Sequence, residues 1–126
     1  MEMTEGETEK PYGLEERTEL FATRVRSFVK SLPRSVTNID DVRQMGRSSG
    51  SVAANYIEAN DALSRKDFRM RLRIARREAK ETRLWLRLVD TGEDESNQRE
   101  RAELVQEATE LMKIMSAILR KVGDSA

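Results

Sequence analysis

Phe68, Leu72, Ala75, Ala79, Thr82, Leu86 and Val89 recur at alternating steps of four and three residues, and that spacing most constrains the fold. Such a repeat lines one face of an α-helix and cannot line one face of a strand, whose side chains alternate at a period of two. The same pattern occurs three more times. Leu14, Phe21, Val25, Phe28 and Leu32 follow it, with Thr18 at the missing step. Val42, Met45, Ser49, Val52, Tyr56 and Ala59 follow it next, and Leu104, Ala108, Leu111, Met115, Ile118 and Val122 complete the set. Four amphipathic segments with short links predict an all-α, up-down four-helix bundle. The helices are expected at about 14–32, 38–60, 65–90 and 97–122, in one domain spanning 13–123.

Local signals set the boundaries. Pro33 disfavours helical geometry at Leu32, and Thr37 or Asn38 is expected to cap the second helix, ahead of Asp40 and Asp41. Ser64 is the expected cap of the third helix, with Asp67 in the position of a capping box. Thr91 and Gly92 close that helix. Residues 1–12 are acidic and poor in apolar side chains, and are expected to form a tail.

The second helix holds an unusual run of small residues: Gly46, Ser48, Ser49, Gly50, Ser51, Ala53 and Ala54. A glycine costs roughly 1 kcal/mol relative to alanine inside a helix. Close approach of a neighbouring backbone is the expected compensation. Gly46–Gly50 is not a phosphate loop, because it lacks the GK[ST] ending and follows no strand. Ser48, Ser49 and Ser51 have no base arranged beside them and are expected to serve packing.

Composition narrows the functions. Cysteine and histidine are both absent, which removes thiolate chemistry, the usual general base and the commonest metal ligand. No catalytic, cofactor or metal site and no small-molecule substrate is expected. The polar, acidic start is unlike a secretion signal, and no apolar run approaches the roughly 20 residues that span a bilayer. A cytoplasmic protein without membrane attachment is expected.

Charged residues make up 37% of the chain, and the formal net charge is zero. The signs are segregated. Arg65, Arg69, Arg73, Arg76, Lys80, Arg83 and Arg87 fall on one arc of the third helix with no acid among them. Such a stripe is a phosphate-binding surface for RNA or DNA, a plain solvated helix face, or a face neutralised by Glu103, Glu107 and Glu110 of the fourth helix. The sequence leaves all three open. Arg71 lies off this arc, near Ile74, Glu78, Glu81, Trp85 and Leu88. Buried charge is costly unless paired, so a structural network is expected in which Arg71 bonds Glu78, Glu81 or Glu58. Three carboxylates also suggest a metal pair, but ferritin-like sites need Glu-x-x-His pairs. The width of this second face assigns Met70, Trp85 and Leu88 to an oligomer interface.

The blocks RSSGSVAANYIEAN, SRKDFRMRLRIARREAKETRLWLRL and ELVQEATELMKIMSAILRK, taken in that order from about Leu20 to Lys121, resemble the bacterial S23 ribosomal protein-like family. Its members are encoded by intervening sequences within 23S ribosomal RNA genes. The resemblance implies a four-helix bundle assembled as a ring-shaped homopentamer, with RNA or DNA binding as the usual suggestion. A more distant likeness, centred on TRLWLRLVD, is to the pentameric accessory variability protein of diversity-generating retroelements, which binds reverse transcriptase and nucleic acid. By resemblance, Arg47, Asn55, Glu58, Arg71, Glu78, Glu81 and Trp85 fall on motif positions. The chain departs from the more basic relatives in having no net positive charge.

Overall fold

The four apolar stripes close on one another around a single core. The computed structural model describes residues 11–123, and these form α1 (Pro11–Val29), α2 (Val36–Asn60), α3 (Arg65–Leu88) and α4 (Glu95–Lys121), with no strand among the described residues. Each helix packs on the next, and α1 closes the ring against α4. The pairings run antiparallel. Along α2 and α3, Ser48 meets Thr82 while Asn55 meets Arg71; along α3 and α4, Arg83 meets Thr109 while Arg76 meets Ser116. This is the up-down bundle expected from the repeat.

The core contains Phe21, Val25, Met45, Val52, Tyr56, Leu72, Leu86, Leu104, Leu111 and Met115, all fully buried. Burying a side chain of this size stabilises the fold by about 1.5–3 kcal/mol. One stripe differs from expectation. In α4 the buried residue is Leu119, whereas Ile118 and Val122 are only half-buried. A straight helix at 3.6 residues per turn drifts from a strict 3.5 repeat, so a second step of four follows Met115.

Boundaries also shift: α3 ends at Leu88 instead of 90, α4 spans Glu95–Lys121 instead of 97–122, and the largest changes flank the first link. Proline suits the first helical position, where its missing N–H is not needed, so α1 begins at Pro11, earlier than the expected residue 14. The acidic tail expected over 1–12 otherwise lies outside the described residues. After Val29 the chain tightens into turns in which Lys30, Ser31 and Leu32 each donate to the carbonyl three residues back. Leu32 stays buried all the same.

The cap of α2 is Ser35, not Thr37 or Asn38: its backbone is extended and its side chain accepts the N–H of Asn38 (3.2 Å). Asn38 is thereby freed for another task. Its Nδ2 donates to Pro33 O (2.9 Å) and Asp90 O (2.8 Å), and its Oδ1 accepts from Asp90 N (3.0 Å). Asn97 forms a second tie, accepting from Ser31 Oγ (2.7 Å) and donating to Ser31 O (3.0 Å). Ser64 caps α3 as expected, accepting from Asp67 N (3.0 Å). Gly92, at φ +69°, turns the chain below Pro33, whose Cγ would lie 3.2 Å from an added Cβ.

The glycines of α2 do not sit against a neighbouring backbone. A Cβ at Gly46 would meet nothing within 4 Å, and one at Gly50 would meet only the Arg26 guanidinium, at 3.2 Å. The serines make the close approach instead. Ser48 and Ser49 are fully buried, and Ser48 Oγ lies 2.6 Å from Thr82 Oγ1.

Candidate functional site

The basic arc of α3 resolves into two rows. Arg69, Arg76 and Arg83, seven residues apart, lean onto α4 and donate to Val122 O (3.3 Å), Ser116 Oγ (3.1 Å) and Thr109 Oγ1 (3.0 Å). These acceptors are neutral oxygens, so each guanidinium is positioned and keeps its charge. Arg65, Arg73, Lys80 and Arg87 form the outer row and are exposed. Between α3 and α4 runs an open groove lined by Met70, Arg73, Ile74, Arg76, Arg77 and Lys80. Arg77 lies beside the expected arc and joins its rim; the signal for it was the adjacent arginine in the pair Arg76–Arg77.

The acids of α4 turn the other way. Arg17 of α1 grips Glu107 with two bonds, Nε to Oε2 (2.6 Å) and Nη2 to Oε1 (2.9 Å). Arg24 donates to Glu100 (3.3 Å) and Glu103 (3.2 Å), and Glu110 accepts from Gln106 (2.7 Å). Glu103, Glu107 and Glu110 therefore do not neutralise the arc, which leaves the phosphate-binding and plain solvated-face alternatives. Helix α4 presents acid to α1 and hydroxyls to α3.

The network on the other flank of α3 differs from its expected wiring. Glu78 and Glu81 are met by Arg47 of α2: Nη2 donates to Glu81 Oε2 (2.5 Å), and Nη1 lies 3.4 Å from Glu78 Oε1. The second contact is close enough for an ion pair but is not aligned as a hydrogen bond, and Glu78 Oε1 has no hydrogen-bond partner. Trp85 Nε1 also donates to Glu81 Oε2 (3.2 Å). Arg71 instead donates to Asn55 Oδ1 (3.2 Å), and Glu58 is exposed. Glu78 lies seven residues beyond Arg71, roughly 10 Å along the helix at 1.5 Å per residue, whereas the antiparallel register brings Arg47 level with it. Chiefly through the bond from Arg47, the Glu81 carboxyl is held below its ordinary value.

Met70 and Leu88 are exposed, and Trp85 is half-buried against the core. Among the described residues no group of three or more acidic side chains is placed to hold a metal ion, and no helix is long and apolar enough to cross a membrane.

Residues 14–117 match the family described as 23S rRNA-intervening sequence protein. The chain belongs to that family. A crystal structure of a protein of unknown function from the S23 ribosomal protein family of Bacteroides thetaiotaomicron is similar, with a TM-score of 0.74 and 29% sequence identity. The likeness covers 87% of this chain and 97% of that one. No curated protein matches the sequence. Of the residues that the resemblance singled out, Arg47, Asn55, Arg71, Glu78, Glu81 and Trp85 lie on the α2–α3 flank, and Glu58 of α2 is exposed.

Proposed function

We propose that this protein is a non-enzymatic, self-associating bundle of the cytoplasm that binds ribosomal RNA or another nucleic acid through the basic face of α3. The observation that carries the reading is the seating of Arg69, Arg76 and Arg83 on neutral oxygens of α4 while the acids of α4 pair with α1. A cationic surface fixed in this way suits a phosphate backbone, which releases counterions on binding. The ring of five implied by the family resemblance would repeat the surface around an axis.

The test is RNA binding measured across a salt series. Wild-type affinity is expected to fall steeply with salt. Replacing Arg73, Arg76 and Lys80 by Glu should reduce the log–log slope by about 2, given roughly 0.7 per phosphate contact for a single strand. No binding at low salt, or an unchanged slope in the charge-reversed variant, would refute it.

A second reading is favoured by the zero net charge together with the exposed Met70, Leu84 and Leu88 on the same helix. On that reading the assembly is a scaffold for proteins, like the reverse-transcriptase accessory ring, without intrinsic nucleic-acid binding. Retained assembly with no RNA binding is its signature.

A further inference from the structure

Helix α3 has a second repeat on the face opposite its core stripe. Met70, Ile74, Arg77, Glu81, Leu84 and Leu88 follow steps of four and three for the length of the helix. Met70, Leu84 and Leu88 are exposed large apolar residues, Ile74 and Glu81 are half-buried, and Arg77 is exposed. A spacing of this kind is the seam of a two-helix coiled coil. The bundle uses the opposite face of α3 and leaves this one outward.

The order of side chains along the seam is palindromic in chemistry. Turned end for end on itself, the seam sets Met70 opposite Leu88, Ile74 opposite Leu84 and Arg77 opposite Glu81. Apolar meets apolar at the ends, and cation meets anion at the centre. An antiparallel register of that kind alternates the two heptad positions across the interface, as knobs-into-holes packing needs. Two open depressions meet at Arg77: the groove beside α4, bordered by Met70 and Ile74, and a second one bordered by Glu81 and Leu84.

The central pair has atoms available. Arg47 and Trp85 both use Glu81 Oε2, which leaves Oε1 to accept. Arg77 has no partner among the described residues.

We infer that the outer seam of α3 docks on the same seam of a second copy of this chain, antiparallel about a two-fold axis, with Arg77 of each protomer paired to Glu81 of its partner. The inference rests on the self-association proposed above and adds to it a second surface, of two-fold symmetry. A two-fold contact is isologous and cannot by itself build a ring of five. It produces an even number of copies, and a ring formed through another face would be doubled by it.

Two properties follow. A single helix-on-helix seam belongs to interfaces below about 1,200 Å², which are transient, so the pairing is reversible. Arg73, Lys80 and Arg87 flank the seam along one side, and pairing brings these rows from the two copies side by side. Exposed like charges are screened by salt more than the Arg77–Glu81 pairs at the centre. Association therefore strengthens as salt rises, the opposite of RNA binding.

Sedimentation over a concentration series, at low and at physiological salt, tests the pairing. The wild-type chain should double in mass reversibly, and Leu84→Glu should abolish the doubling with helicity unchanged. Arg77→Glu and Glu81→Arg should each weaken pairing about tenfold, as expected for losing close charge pairs at an interface. An equimolar mixture of the two should restore it, since each mixed contact again sets Arg against Glu.

Glu81 also holds Arg47, so where Glu81→Arg loses helicity a covalent variant decides. The chain has no cysteine. Ile74→Cys combined with Leu84→Cys should oxidise to a disulfide-linked dimer, and Leu63→Cys, which lies off the seam, should not. Wild-type mass behaviour in Leu84→Glu, or no linked dimer, overturns the seam and leaves self-association standing through another face. A wild-type chain that stays single at every concentration removes both.

Discussion

Replacing Ser48 by alanine and Thr82 by valine, singly and together, tests how α2 and α3 recognise each other. Both hydroxyls are fully buried. Thr82 Oγ1 donates to Glu78 O (2.8 Å) and lies 2.6 Å from Ser48 Oγ. A hydroxyl has one hydrogen, so with Thr82 committed to Glu78, Ser48 must be the donor to Thr82. The two substitutions are therefore unequal. Ser48→Ala removes a donor and leaves Thr82 bonded to its carbonyl, at a cost of about 1 kcal/mol. Thr82→Val keeps the shape but leaves the Ser48 hydroxyl buried without its acceptor, at a cost of about 2 kcal/mol. Removing both should be nearly neutral or cost about 1 kcal/mol, less than Thr82→Val alone, because no buried donor is left over. The interaction energy is then about 2–3 kcal/mol in magnitude. Urea unfolding followed by far-UV circular dichroism measures all three variants. A double variant equal to the sum of the singles within about 0.5 kcal/mol would refute the coupling, and a Ser48→Ala cost equal to or above that of Thr82→Val would refute the assigned direction of the bond.

Two glycines should respond in opposite ways to alanine. Gly46→Ala should stabilise by up to about 1 kcal/mol, since the added Cβ meets nothing within 4 Å in a helix interior. Gly92→Ala should destabilise by at least about 1–2 kcal/mol, from its left-handed backbone and the 3.2 Å approach to Pro33 Cγ; thermal unfolding of both variants checks the signs. Glu81 has a lowered carboxyl pKa, so the stability it contributes is fully present above its ordinary value of 4.5 and is lost as pH falls through the lower folded value. The acid limb of a stability–pH curve should flatten in Glu81→Gln, and an unchanged limb would remove Glu81 from the account.

Periodicity was enough for the architecture. Every stripe residue of α1 and most of those in α2, α3 and α4 reach the core, because a repeat at helical spacing leaves a chain one way to bury its apolar face. Phase drift is what a residue list misses, hence Leu119 in place of Ile118. Caps were legible only where one candidate stood alone. Ser64 had no rival, whereas Ser35 competed with Thr37 and Asn38, and the tie from Asn38 to Asp90 depends on a loop contact that spacing does not encode. The partners of charged groups were hardest to read. Arg47 takes Glu78 and Glu81 through interhelical register, and Arg71 is left to Asn55. The acids of α4 were visible in the sequence, but which neighbour they face depends on helix rotation. The residues of the basic arc share one side of α3, which helix geometry alone dictates, and Arg77 stands at their edge.

The two ends of the bundle are built differently, and this gives the fold a direction in which it loosens. At one end the links after α1 and α3 are sewn to their neighbours by Asn38 and Asn97, with Gly92 tucked beneath Pro33. At the other, α2 turns into α3 over a few residues that leave Leu63 99% exposed. Local opening proceeds where the fewest contacts must break at once. Amide hydrogens near the Ala62–Leu63 turn therefore exchange through small fluctuations, while those beside Asn38 and Asp90 wait for larger ones. The stitched end acts as a hinge pin about which the rest of the bundle can breathe.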